Sequence, residues 1–326
     1  MRSGENKGGV LLPILYEFPD DIARNLALWG DTEVWPMVMP NLGRSQRIES
    51  LVRDWHTESA KGEVERAIWA SQHLNIQLGI GLKHNRWRGC DYWERNAEPG
   101  LTLESLLERS EVATVGIDGG GLDDLLGLAV IGRERGTRRW LVWTKAWCAR
   151  SVLDLRKDIA SALLDFERDG DLVIVKDGSG DDVAQVADIV QQVHDAGLLP
   201  EQHAIGVDTA GISDLVDALA ALGFDTTEDG NGRVVGITQG WRLTNMIKTC
   251  ERRLAGGDIV HGGTRMMAWV VGKAKVEPKG NAVVMTKQQT GSAKIDPLMA
   301  MFNAAELMSR NPRVRSIYEE RGIRFA

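Results

Sequence analysis

Residues 112–124 read VATVGIDGGGLDD, an alternating apolar run that ends on an aspartate and breaks at once into three glycines. The period of two and the β-branched content predict a strand over 112–118. Two more strand patterns follow, LLGLAVIG at 125–132 and RRWLVWTKAW at 138–147, with the charged RERGT turn between them. Three strands this close in sequence predict a meander. Beyond them the pattern changes to helix and strand in alternation. Helical periodicity covers 152–166, 182–196, 212–222, 241–255, 264–271 and 297–309, and apolar strands are expected at LVIV (172–175), HAIGVD (203–208) and RVVGI (233–237). AKVEP, KGN and AVVMT over 274–286 read as a hairpin. A meander followed by alternation predicts an α/β chain with an RNase H-like mixed sheet and helices on both of its faces.

Residues 1–108 have a different texture, rich in tryptophan and charge, with helical patterns at 45–60 and 62–74 and loop-like stretches between. A mainly helical N-terminal segment is therefore expected before the sheet domain at 109–326. With 326 residues, 43% hydrophobic and 26% charged, the composition is that of a globular chain with a sizeable core, not a disordered or fibrous one. A net charge of −7 argues against a protein that coats DNA by bulk charge. It is compatible with a carboxylate cluster beside a local basic patch. Cys90, Cys148 and Cys250 are too far apart for a zinc knuckle or a disulfide framework, which fits a reducing, cytoplasmic setting. No apolar run reaches membrane-spanning length, so no membrane partner is expected.

The chemistry has to come from the acidic residues. Asp118 ends the first strand, and the glycines behind it let a phosphate or an ion approach the backbone. Asp208 ends HAIGVD in the same way, and Asp296 precedes Pro297 at the start of the last helix. Singly, each has a structural explanation, as a turn residue or a helix cap. Together, two strand ends and a helix start can converge on one sheet edge and hold Mg²⁺ or Mn²⁺, because hard divalent ions take oxygen ligands. Asp124, on the turn after Asp118, is a further candidate ligand. Two such ions would serve phosphodiester hydrolysis, one activating water and one stabilising the leaving oxygen. His261, in DIVHGG, is a candidate for orienting substrate near the metals, and also reads as an ordinary loop or core histidine. Arg242, Lys248, Arg252, Arg253, Lys273, Lys275 and Lys287 are candidate phosphate contacts, and no groove-reading motif accompanies them.

Four segments carry a resemblance: VGIDGGGLDDLLGLAV, IGVDTAGISDLVDAL, QGWRLTNMIKTCERRLAGGDIVHGG and KQQTGSAKIDPLMAMFNAAELM. In this order they resemble the large terminase subunit of tailed phages, in the group that includes HK97-like packaging motors. The resemblance implies an RNase H-like nuclease domain that uses Mg²⁺ or Mn²⁺ to cut concatemeric viral double-stranded DNA. Its partners would be a small terminase subunit and a portal protein, in the host cell cytoplasm. It assigns Asp118, Asp208 and Asp296 to the catalytic aspartates and makes Lys294 and His261 neighbours of the site. LPILYEFPDD and WPMVMPNLGRS resemble the end of the ATPase domain and its linker. No GxxxxGK[ST] string occurs in the chain, so ATP hydrolysis by this chain alone is not expected. Other readings stay open at this point: an RNase H-like recombination nuclease or transposase, an inactive prophage remnant, or an actin-like or sugar-kinase ATPase suggested by GIDGGG.

Overall fold

The computed structural model describes residues 16–23, 25, 27–76, 86–121, 123–208, 213–227, 231–279, 282–287 and 294–314. Two compact units divide the chain, Met1–His84 and Asn85–Ala326. In the first, helices α1 (Ile48–Lys61) and α2 (Glu63–His73) occur where the periodicity placed them. Its core is built on Trp29, Trp35, Trp55 and Trp69, with Val38, Leu51 and Leu74. The division falls earlier than the boundary near residue 108 expected from texture, for a packing reason. Helix α3 (Leu103–Arg109) buries Leu103 and Leu106 in the same core as the sheet residues, so this stretch belongs with the sheet.

The second unit is organised by β1 (Ser110–Gly119), β2 (Leu126–Glu134) and β3 (Trp140–Ala149), the expected antiparallel meander. After it come α4 (Ala160–Asp169), β4 (Leu172–Val175), α5 (Asp181–Asp195), β5 (Ile205–Asp208), α6 (Ser213–Ala221) and β6 (Val234–Ile237). Then follow α7 (Thr244–Gly256), β7 (Ile259–His261), α8 (Arg265–Lys273), the hairpin β8 (Ala274–Lys279) and β9 (Ala282–Lys287), and α9 (Asp296–Ser309). The sheet order is β4-β3-β2-β1-β5-β6, and β7 also pairs with β3. β5 lies parallel to β1, β6 to β5, and both β4 and β7 to β3, so the sheet is mixed. The helix expected over 152–166 is broken: a single turn at Val152–Leu155 stops at Arg156, whose guanidinium turns away to pair with Asp123 at 3.0 Å. All three cysteines are free and buried. Among the described residues no helix is long and apolar enough to cross a membrane.

The two faces of β1 are dressed differently, because successive side chains of a strand point to opposite sides. Ala113, Val115 and Ile117 enter a core shared with residues of α3, α5 and α6. Thr114, Gly116 and Asp118 face α9. This helix is apolar almost all round and fully inserted, with Leu298, Ala300, Met301, Phe302, Ala304 and Ala305 buried. Glycine decides how close it comes. A Cβ on Gly116 would stand 2.0 Å from the Ala300 carbonyl oxygen and 2.4 Å from the Ala304 nitrogen; one on Gly127 would stand 2.6 Å from the Pro297 nitrogen. Two polar staples fix the register: the Thr114 hydroxyl donates to the Ala304 carbonyl at 2.9 Å, and Asn303 Nδ2 donates to the Ile117 carbonyl at 2.8 Å. Gly116→Ala is therefore expected to cost about 2–3 kcal/mol of stability, since the obstacle is helix backbone and not a side chain that can swing away. Urea denaturation of the variant beside the parent checks this.

Candidate active site

Asp118 is at the carboxyl end of β1, where α/β sheets usually carry their chemistry. β5 runs parallel beside it with Ile205 opposite Val115, Gly206 opposite Gly116 and Val207 opposite Ile117. Continuing that register by one residue sets Asp208 level with Asp118 on the neighbouring strand. Gly206 approaches α9, within 3.1 Å of the Asn303 carbonyl oxygen for an added Cβ, so Asp208, two residues on, emerges on the same face. The third aspartate comes from the helix itself. Asp296 is the first residue of α9, with Pro297 behind it supplying a fixed φ and no unsatisfied N–H. The close packing permitted by Gly127, which pairs with Asp118, carries the start of α9 over the ends of β1 and β2.

Asp118, Asp208 and Asp296 consequently line one open cleft of about 520 Å³, together with Asp124, Gln239, Gly119, Gly121, Met285 and Met299. Asp118 and Asp296 are buried, and Asp208 is partly exposed. Gln239 was not singled out from the sequence. Its Nε2 donates to Asp118 Oδ1 at 3.3 Å and to Asn303 Oδ1 at 3.0 Å, tying β1 to α9. Its own Oε1 is buried, with no hydrogen-bond partner among the described residues. Gly119 has φ +90°, and a Cβ there would meet the Leu125 carbonyl oxygen at 2.0 Å. Only glycine fits this turn, which is the structural reason for the first of the three glycines after Asp118.

Asp124 reaches the cleft on a turn that is held from below. Lys294, 3% exposed, places Nζ 2.6 Å from Asp124 Oδ1 and 2.6 Å from the Asp123 carbonyl oxygen. The lysine thus orders the turn beside Asp118 and offsets part of the negative charge. Four aspartates against one lysine leave a cleft with excess negative charge, and its charged donors are all hard carboxylate oxygens, joined by the Gln239 amide oxygen. This set fits a divalent cation of the Mg²⁺ type. Among the described residues no three acidic or imidazole side chains are already close enough to hold an ion alone. That is compatible with Mg²⁺, which takes one or two carboxylates and fills its shell with water and phosphate.

His261 is elsewhere. It ends β7, which pairs with the first half of β3, whereas the Asp118 end of the sheet lies beside the last half of that strand. Its ring stacks on Trp93 at 3.9 Å, Nε2 is 2.9 Å from the Trp93 carbonyl oxygen, and the Gly263 N–H donates to Nδ1. The candidate substrate-orienting role is therefore replaced by a core role. The sequence missed β7 because three residues are too few to show a period. Burial pulls the His261 imidazole down to about 4, against the Trp93 carbonyl, which favours the charged form. The sign follows: above about pH 6.5 the ring is neutral in both folded and unfolded chains, and stability is highest. Between about 6.5 and about 4 only the unfolded chain takes up the proton, so stability falls by up to about 3 kcal/mol. Urea midpoints between about pH 7 and about pH 4 should fall more steeply for the parent than for His261→Asn.

The basic candidates scatter. Arg242 and Lys248 are exposed, at the entry to α7 and along it. Lys273 lies 5.6 Å over the Trp269 ring, and Lys275 is half-buried in β8. Lys287 ends β9, and its side chain lies outside the described residues. Arg253 packs 3.9 Å over Trp140, at the sheet end away from the aspartates, and is no phosphate contact for this cleft.

The family model of the terminase large subunit, endonuclease domain, matches residues 26–310. No curated protein sequence matches the chain. Among solved structures, the large terminase of bacteriophage HK97 aligns with a TM-score of 0.53 at 18% identity, over 89% of this chain and 56% of that one. The chain thus spans little more than half the length of the HK97 protein. The large terminase nuclease of thermophilic phage G20c with bound magnesium aligns at a TM-score of 0.42 and 14% identity, over 69% of this chain and 98% of that one. The large terminase nuclease domain of bacteriophage SPP1 with bound manganese aligns at 0.37 and 16%, over 65% and 97%. The fold is an RNase H-like mixed sheet, shared with the HK97 large terminase, and with the family model running across nearly the whole chain, this protein belongs to the family of terminase large subunit endonuclease domains.

Proposed function

We propose that this chain is the metal-dependent endonuclease of a viral DNA-packaging terminase, cutting concatemeric double-stranded DNA by phosphodiester hydrolysis. The observation that carries the reading is the convergence of Asp118, Asp208 and Asp296, from two parallel strand ends and a helix start, on one cleft. Asp118, Asp208 and Asp296, with Asp124 at the margin, would hold two Mg²⁺ or Mn²⁺ ions. When bound, such ions supply an activated water and charge stabilisation for the departing 3′ oxygen. The chain's own part is positional. Gln239 and Asn303 fix the Asp118 carboxylate against α9, Lys294 fixes the Asp123–Asp124 turn, and Gly119 to Gly121 keep the backbone clear for a phosphate.

DNA contacts in this reading are made to phosphates with little base selection, by Arg242, Lys248, Lys273, Lys275 and Lys287. The unit at Met1–His84 corresponds to the end of an ATPase domain and its linker, and translocation is supplied by a motor that this chain does not form alone. The small terminase subunit and the portal protein are its partners in the host cytoplasm. The test is plasmid cleavage by the purified chain with Mn²⁺, with Mg²⁺ and with EDTA. Nicking and linearisation that need the metal support the reading; cleavage undiminished in EDTA overturns it.

A further inference from the structure

Trp241 is the odd one among eleven tryptophans. It is 56% exposed, whereas the other ten are buried or half-buried. It forms one wall of an open concavity of about 620 Å³, lined also by Arg242, Thr244, Asn245, Lys279 and Ala282. The chain passes directly from one to the other: Gln239 and Gly240, the two residues before Trp241, line the carboxylate cleft. Its two walls are tied together. The Thr244 hydroxyl accepts from the Val283 N–H at 3.0 Å and its single proton has the Trp241 carbonyl at 2.5 Å and the Val283 carbonyl at 2.9 Å as acceptors, linking the start of α7 to the β8–β9 hairpin that carries Lys279.

The chemistry of the lining changes abruptly at this border. The cleft is lined by four aspartates, yet among the described residues the concavity has no acidic side chain and has two cations beside the Trp241 indole. In a chain of net charge −7 an acid-free basic patch is a local feature. The Arg242 guanidinium lies 5.3 Å over the Trp241 ring, which orients the cation beside the indole. A flat aromatic surface flanked by cations matches a nucleic-acid strand, whose bases and sugars stack on the ring while its phosphates meet the charges. Aromatic and arginine side chains also anchor protein interfaces. The step of one residue along the chain from the carboxylate cleft, read above as a nuclease site, favours DNA.

We propose that Trp241, Arg242 and Lys279 form a DNA-gripping subsite that holds the strand leading away from the carboxylate cleft. The inference rests on the nuclease reading above. Trp241 packs on a base or deoxyribose, and Arg242 and Lys279 take neighbouring phosphates on either side. Stacking tolerates any base, so the subsite adds affinity without sequence preference.

The test is binding of labelled short duplex and single-stranded DNA in EDTA, read by fluorescence anisotropy across a salt series. Trp241→Ala is expected to weaken binding about tenfold with an unchanged salt slope, and Trp241→Phe to retain most of the affinity. Arg242→Gln and Lys279→Gln should each reduce the salt slope by about one unit. Because Trp241 is exposed, its loss should leave the urea midpoint in place, which separates binding from folding. Trp241→Ala binding both DNAs within about twofold of the parent overturns the proposal. The nuclease reading fails separately: it falls if cleavage ignores metal, whatever Trp241→Ala does to binding in EDTA.

Discussion

Replacing Asp118, Asp208 or Asp296 with asparagine is expected to lower metal-dependent plasmid cleavage by roughly a thousandfold or more, with the fold intact. Asparagine keeps the shape of each side chain and removes only the charge that holds a divalent ion. At Asp118 the amide oxygen can still accept from Gln239, so the contact between strand and α9 survives. Stability should hold or rise slightly, since each substitution relieves repulsion among four carboxylates lining one cleft. Loss of activity without loss of stability is the signature of a functional group, and a capping or turn aspartate would show the reverse. Asp124→Asn should retain more activity than the other three, because Asp124 is engaged by Lys294. Nicking and linearisation, followed on gels beside urea melts, decide the matter. Cleavage that survives all three substitutions would remove these residues from the site.

Lys294→Met should destabilise the fold by about 2–3 kcal/mol, through loss of charge-assisted hydrogen bonds to a buried ammonium group. Lys294 is 3% exposed, and its ammonium group has both an Asp124 carboxylate oxygen and the Asp123 carbonyl at 2.6 Å. Methionine fills the space and takes away the charge, leaving the partly exposed Asp124 carboxylate without its lysine. Removing one member of a buried pair costs more than replacing both. The double variant Lys294→Met with Asp124→Leu should therefore recover much of the loss, and the cycle gives the coupling directly. A single-variant cost below about 1 kcal/mol would show that the pair contributes little and that the turn is held by other contacts. The activity of Lys294→Met should fall as well, since the Asp123–Asp124 turn borders Asp118.

Much of this was legible without coordinates. The strands at 110–119, 126–134 and 140–149 and the helices at 181–195 and 296–309 match their periodic patterns. The aspartates stood out because each ends or begins such a pattern. What failed did so for identifiable reasons. β7 is three residues long, and the helix over 152–166 is broken where Arg156 meets Asp123, an ion pair across 33 positions. Gln239 and Asn303 carried no signal at all, because an amide in a helix or loop is ordinary until its partners are known.

Local pattern is a property of consecutive residues, and so the sequence by itself determined the elements, their order, the class of sheet and the chemical type of the candidate site. Which residues share that site is a property of packing. Gly116 and Gly127 admit the backbone of α9 to the strands, the β1–β5 register aligns Asp208 with Asp118, and the same tertiary arrangement places His261 at the far end of the sheet. These placements depend on contacts between residues about 90 to about 190 positions apart, which no local period encodes.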